Sequence, residues 1–321
     1  MLFYILALIV FGILILGYFR IADHFNIIDK PNKRSSHKNN PIRGGGVLFP
    51  IAAFMWFMIY GFNQPWIMLA LLLLATVSFL DDVITLSSKI RIIVHLITVS
   101  LLFWQLQLFE IPWYGIVIAY IVVIGWINAF NFMDGINGIT AFYGLVALST
   151  FAWLNRSLEF VSQHLIILLV LSVLVFSFFN ARKRAKTFAG DVGSVSMAFL
   201  LAWFMILLIL KTGRLEYILF FSVYGIDSAL TIVFRLLRRE NIFEAHRTHL
   251  YQFLSNEFQW SHVLVSGIYA TIQAGVNFLV IFLFSGNKMT WQVFIMILLL
   301  LSAIYLIIRL KITKELQHKL I

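Results

Sequence analysis

Residues 113–154 read WYGIVIAYIVVIGWINAFNFMDGINGITAFYGLVALSTFAWL. Two apolar runs, 113–130 and 136–154, flank a stretch that holds Asn128, Asn131, Asp134, Gly135, Asn137 and Gly138. Each run approaches the roughly 20 apolar residues that a bilayer-spanning helix needs, so the pattern is span, polar turn, span. The alternation continues along the chain, with further runs near 1–19, 44–62, 66–80, 92–109, 161–179, 189–210, 216–234, 262–284 and 291–309. The run 66–80 is short. Lipid offers no partner to an unpaired backbone group, and the runs are too long for barrel strands, so helices are expected. Composition agrees: 61% of the 321 residues are hydrophobic and 12% charged, too little charge to cover a soluble domain. The expected fold class is an all-α integral membrane protein of about eleven transmembrane helices. No loop exceeds the 27 residues of 235–261, so a single polytopic domain over 1–321 is expected. The first run lacks a basic flank and a small-residue cleavage pattern and reads as a retained span. The chain has no Cys, which removes disulfides and thiolate metal sites.

The net charge of +10 invites a nucleic-acid reading, but the placement of the charge argues for topology. With loops assigned to alternate sides, 20 of the 24 Lys and Arg fall on one side, leaving Arg156, Lys211, Arg214 and Lys288 on the other. The positive-inside rule puts the first side in the cytoplasm, the N-terminus outside and the C-terminus inside. All seven Asp fall on or toward that cytoplasmic face. The active site is therefore expected on the cytoplasmic loops, with membrane lipid and no nucleic acid among the partners.

Five polar segments on this face carry chemistry, and each has a plainer alternative. Asp81 and Asp82 close the third run and precede Lys89 and Arg91; they read as a helix end in water or as paired carboxylates that need a compensating cation. Asp191 and Ser194 in FAGDVGS (188–194) read as helix caps or, with Gly190 and Gly193, as a backbone cradle around a carboxylate that holds a hard cation. The Asn and Asp of 128–137 read as turn residues or as the oxygen and amide groups that Mg²⁺ and phosphate accept. His246 and His249, three apart, would share a helix face, either on an interfacial basic stretch or beside a phosphate held by Arg247. Two histidines alone do not make a zinc site. The loop DKPNKRSSHKNNPIRGGG (29–46), with Lys30, Lys33, Arg34, His37, Lys38 and Arg43, reads as a topology signal or a shaped loop. Asp227 is embedded in the ninth run and is expected to be paired.

In combination these segments resemble the polyprenyl-phosphate N-acetylhexosamine-1-phosphate transferases. The matches are D29-x-P-x-x-R34-x-x-H37 with Gly44-Gly45-Gly46, D81-D82 with L86-S-x-K-x-R91, N128-x-x-N131-x-x-D134-G-I-N137-G, and F188-x-G190-D191-x-G193-S194. They run in family order from Asp29 to Gln252. The chain departs from the family at H246-R-T-H249-L-Y-Q, where members often carry His-x-His-His, and at Asn137, where many bacterial members have Asp. It looks more like the branch that initiates O-antigen or other surface polysaccharides than like the muramoyl-pentapeptide branch. The resemblance implies that polyprenyl phosphate attacks the β-phosphorus of a UDP-N-acetylhexosamine, giving polyprenyl-diphospho-sugar and UMP, in a bacterial cytoplasmic membrane. It implies Asp191 and Asn131 as ligands of Mg²⁺, with Mn²⁺ a substitute, and Asp81, Asp82 and Asp134 as catalytic candidates. It implies Lys89, Arg91, Asn128, Asn137, Arg34, His37, His246, Arg247 and His249 as substrate-binding candidates, and it allows a homodimer.

Two other classes compete. A transporter or flippase would place ionisable groups near the bilayer midplane, often on broken helices and inverted repeats; here only Asp227 and His95 intrude, and no repeat is evident. A CDP-alcohol phosphotransferase would carry a D-G-x-x-A-R run, which the chain lacks.

Overall fold

The computed structural model describes residues 1–29, 40–242 and 246–318. Helices occupy α1 (Leu2–His24), α2 (Leu48–Ile59), α3 (Pro65–Ile84), α4 (Ser88–Gln105), α5 (Trp113–Met133), α6 (Ile139–Leu158), α7 (Gln163–Asn180), α8 (Gly190–Thr212), α9 (Ser222–Leu237), the single turn α10 (Leu250–Gln252), α11 (His262–Ser285) and α12 (Trp291–His318). Every apolar run is helical, and among the described residues β-pairing is limited to isolated bridges, Ile28 with Ile42 and Ile42 with Thr187. The protein is an all-α integral membrane protein.

Nine helical segments among the described residues are long and apolar enough to span a bilayer. The runs at 44–62 and 136–154 give α2, which has 12 residues, and α6, which carries Thr140, Thr150 and Asn155 on buried positions. Both are sheltered by protein: α2 packs on α7 and α8, and α6 on α7 and α11. The short third run becomes a 20-residue helix. Asp81 and Asp82 lie inside its last turn, buried, instead of marking its end in water.

The centre of the bundle is α8, of which 83% is buried against 17–50% for the other eight candidate spans. Its sequence is apolar all round, as expected of a helix with no lipid-facing side. It packs against α2, α3, α5 and α6, and its N-terminus meets the loop before α2. Gly46 and Gly193 make that approach: a Cβ on residue 193 would lie 2.6 Å from Gly46 Cα. Gly135 and Gly138 end α5 and start α6, so the Asn-rich stretch forms a turn on the same face.

Deeper in the bundle, Gln273 ties together Tyr143, Asn277, the Val223 N–H and the Leu219 carbonyl at 2.7–2.9 Å, where the turn Leu215–Phe221 meets α9. Asn277 continues the network to Thr150. These polar groups satisfy one another and hold a helix junction.

Candidate active site

Asp82 organises the site. Its side chain is fully buried, and it accepts the Asp191 N–H at 2.8 Å and the Val192 N–H at 3.0 Å. Those are two of the free donors every helix N-terminus carries. The cap of α8 is thus a carboxylate from α3, not Asp191 or Ser194 from its own sequence. Charge-assisted bonds of this kind contribute about 1.5–3 kcal/mol each. Arg43 Nε donates to Asp82 at 2.7 Å, and its terminal nitrogen reaches Asp191 at 3.5 Å. Burial works against the Arg43 cation, but Asp82, Asp191 and Asp29 outweigh it and raise its pKa. The backbone carbonyl of Arg43 accepts Tyr18 OH at 2.5 Å, and the bridges through Ile42 fix the loop that carries it.

Because Asp82 does the capping, Asp191 is left to line a cavity with Asp81, Arg91, Asn128, Asn131 and His95. Leu74, Val77, Val94 and Val195 make up the apolar part of its wall. Asp81 pairs with Arg91 at 3.3 Å and accepts the Leu86 N–H. The carboxyls of Asp81 and Asp191 line the same cavity, an arrangement of like charges that calls for a cation or a proton. Asn131 Oδ1 accepts Ser194 OH at 2.6 Å, while the Asn128 amide donates to Ile124 at 2.8 Å.

The water-accessible core of the cavity is about 20 Å³, the space of one water or one bare cation. A nucleotide sugar needs the mouth to open. Among the described residues no three Asp, Glu or His side chains form a complete metal cage. The oxygen set Asp191, Asp81 and Asn131 nevertheless fits Mg²⁺, which takes one or two carboxylates and leaves its remaining positions to phosphates and water.

Asp134, three residues after Asn131, is outside the cavity lining. Burial, together with the charge of Asp82, pushes its pKa up to about 7 against the pull of its bond from Thr140. Lys89, Asn137, His246, Arg247 and His249 lie outside the cavity lining. Lys89 is exposed in the first turn of α4. Asn137 is buried as a clip, its side-chain amide donating to the Arg182 carbonyl at 2.7 Å while its backbone carbonyl accepts Ser266 OH. Arg247 pairs with Glu257 at 3.5 Å. Arg34 and His37 fall outside the described residues.

His246 and His249 do not share a helix face, because 246–248 is irregular and α10 starts only at Leu250. Their rings still come together at 4.9 Å, beside Phe132 at the end of α5. Burial, then the nearby His249 and Arg235, lower the His246 pKa to about 4, so at neutral pH it offers hydrogen bonds and no charge. Sequence reading missed Arg43, counted only as a loop charge, although it directly precedes the Gly44–Gly46 run. It also left His95 unassigned, one helical turn beyond Arg91.

The sequence model of glycosyl transferase family 4 matches residues 65–209, a segment that contains Asp81, Asp82, Asn131, Asp134 and Asp191. The chain is 24% identical over 253 residues to a probable undecaprenyl-phosphate N-acetylglucosaminyl 1-phosphate transferase of Bacillus subtilis (strain 168), covering 72% of this chain and 70% of the relative. It is 30% identical over 230 residues to the phospho-N-acetylmuramoyl-pentapeptide-transferase of Enterococcus faecalis, covering 61% of this chain and 70% of the relative. The enzyme of the same description from Thermotoga maritima is 27% identical over 228 residues, covering 64% and 73%.

Proposed function

The chain belongs to glycosyl transferase family 4, and on that premise we propose that it transfers an N-acetylhexosamine-1-phosphate from a UDP-sugar to polyprenyl phosphate at the cytoplasmic face of a bacterial inner membrane. The observation that supports this reading is the dual character of the cavity. Asp81, Asp191, Asn131 and Arg91 supply groups for a cation and phosphates, while Leu74, Val77, Val94 and Val195 give the same cavity an apolar side. A water-soluble diphosphate and a prenyl chain need those two surfaces side by side.

Asp191 and Asn131, with Asp81 opposite, would hold Mg²⁺, which when bound supplies neutralisation of charge on the donor phosphates and the leaving UMP. Asp82 and Arg43 fix the α8 N-terminus and so set the position of Asp191. Arg91 holds Asp81 and faces the same space, where it attracts the acceptor phosphate. The reaction forms a bond from an acceptor phosphate oxygen to the β-phosphorus and breaks the bond from that phosphorus to the bridging oxygen, which leaves with UMP. A phosphate monoester has a second pKa of about 6, so the acceptor is largely dianionic at neutral pH. Asp81 therefore positions and balances charge; it need not abstract a proton. The test is UMP release by the purified protein from a panel of UDP-N-acetylhexosamines. Release should require both polyprenyl phosphate and Mg²⁺. Release that ignores the acceptor, or no release from any sugar nucleotide, contradicts the reading.

A further inference from the structure

Asp227 and His249 form a second buried polar centre that the transfer described above does not use. Asp227 is 1% exposed and His249 is 2% exposed. Asp227 accepts Tyr269 OH at 2.6 Å, Tyr305 OH at 3.1 Å, and Thr231 OH and the Leu250 N–H at 3.2 Å. His249 Nδ1 stands 3.2 Å from the same carboxylate. Arg309 adds a buried cation one step away, donating to Tyr305 OH at 2.8 Å and to Thr231 OH at 3.3 Å. A carboxylate that receives this many donors is an acceptor only, so Nδ1 carries the proton between His249 and Asp227.

The other ring nitrogen then decides the matter. His249 Nε2 is buried with no hydrogen-bond partner among the described residues. As an N–H it would be an orphaned buried donor on a charged ring. As a lone pair it is the less costly orphan, open to a donor that the described residues do not supply. The ring lies against His246 and Phe132, and Phe132 follows Asn131 directly. Tyr251 OH donates to the Phe132 carbonyl at 2.9 Å and ties this loop to the end of α5. The histidine is thus held against Phe132, the residue after Asn131, and outside the cavity lining.

We propose that Asp227 is a positioning residue that holds His249 in its Nδ1–H form, so that Nε2 accepts a hydrogen bond from an O–H or N–H of the sugar nucleotide. The inference rests on the transferase reading for the identity of that ligand, but not for the state of the ring. Thr231 and Tyr305 reach Asp227 from α9 and α12, Tyr269 reaches it from α11, and Arg309 holds Thr231 and Tyr305 in turn, so that Asp227 is kept stationary. The N–H or O–H could come from the sugar or from the uracil ring, and the two differ in what they predict for UMP.

The decisive variant is His249→Asn, whose amide can still donate to Asp227 but offers nothing at the Nε2 position. Its KM for the UDP-sugar should rise about tenfold, the equivalent of one neutral hydrogen bond of roughly 1.4 kcal/mol, with the KM for polyprenyl phosphate unchanged. If inhibition by UMP weakens equally, the donor is on the nucleotide; if only the UDP-sugar KM rises, it is on the sugar. Asp227→Ala should reproduce the KM change, and the double variant should be no worse than either single one. Additive losses, or an equal rise in both KM values, overturn the proposal. Should Asp227→Ala fail to fold, ¹⁵N-histidine spectra of the full chain decide, with His249 assigned by comparison with His249→Asn. A protonated Nδ1 with an Nε2 signal that moves on adding UDP-N-acetylglucosamine supports the proposal, and a protonated Nε2 overturns it. This readout needs no turnover, so it stands apart from failure of the transferase reading.

Discussion

Gly193→Ala is the substitution in which two physical effects of opposite sign compete most openly. Residue 193 lies inside α8, where Ala should stabilise a helix relative to Gly by up to about 1 kcal/mol. The new methyl would lie 2.6 Å from Gly46 Cα and 3.0 Å from Ala189 Cβ, whereas carbons settle at about 3.5–4 Å. The near neighbour is backbone, so no rotamer change relieves the clash and the loop must retreat by roughly 1 Å. Overpacking of this kind costs about 1–3 kcal/mol, which leaves a net loss despite the helix gain. The same retreat would stretch the 2.7 Å bond between Arg43 and Asp82, and a 1 Å misplacement near reacting groups can cost about 100-fold in rate. Gly125→Ala in α5 is the control, because nothing lies within 4 Å of its added methyl. Melting in detergent and UMP release should show Gly193→Ala below wild type in both and Gly125→Ala unchanged or more stable. A Gly193→Ala protein that melts at or above wild type with full turnover refutes the close-packing argument.

Asp191→Ala should abolish lipid-linked product while the helical far-UV signal is retained; full activity would remove Asp191 from the site. Asp81→Asn should lower the rate strongly without changing the shape of its pH profile, since the carboxylate positions and the acceptor is already ionised. A rate that recovers steeply at high pH would instead mean that Asp81 takes a proton. His246 has a pKa of about 4 in the folded chain against an ordinary 6.5, so between those values the unfolded chain binds more protons. Its contribution to stability is therefore present above pH 6.5 and lost as pH falls toward 4, with a slope of at most about 1.4 kcal/mol per pH unit. His246→Gln should flatten the fall in melting temperature over that window, and an unaltered fall would contradict the assignment.

The periodic signal of long apolar runs made the helices legible, because in lipid a helix must satisfy its own backbone. What the runs concealed was where polarity is buried. Asp81 and Asp82 resembled a helix end because composition records hydrophobicity and not the partners that make burial affordable, here Arg43, Arg91 and the α8 N–H groups. The cap of α8 comes from a residue more than a hundred positions away, so reading FAGDVGS locally gave Asp191 the wrong partner. The same blindness to distant contacts hid Arg43. His246 and His249 were paired correctly by proximity and wrongly by geometry: irregular backbone, ended by the Asp227 bond to Leu250, brings their rings together without a helix. Asp227 was legible as a buried acid needing a partner, but its five donors come from α9, α11, α12 and the 246–252 loop.

The central claim is that the β-phosphorus of the donor travels with the sugar. It is tested most directly with UDP-N-acetylhexosamine carrying ³²P at the β-position and ³H in the sugar, incubated with the purified protein, polyprenyl phosphate and Mg²⁺. The account predicts both labels together in the lipid fraction and unlabelled UMP in the aqueous phase. Tritium in the lipid with ³²P left in soluble UDP, or no label in the lipid from any N-acetylhexosamine donor, would contradict it.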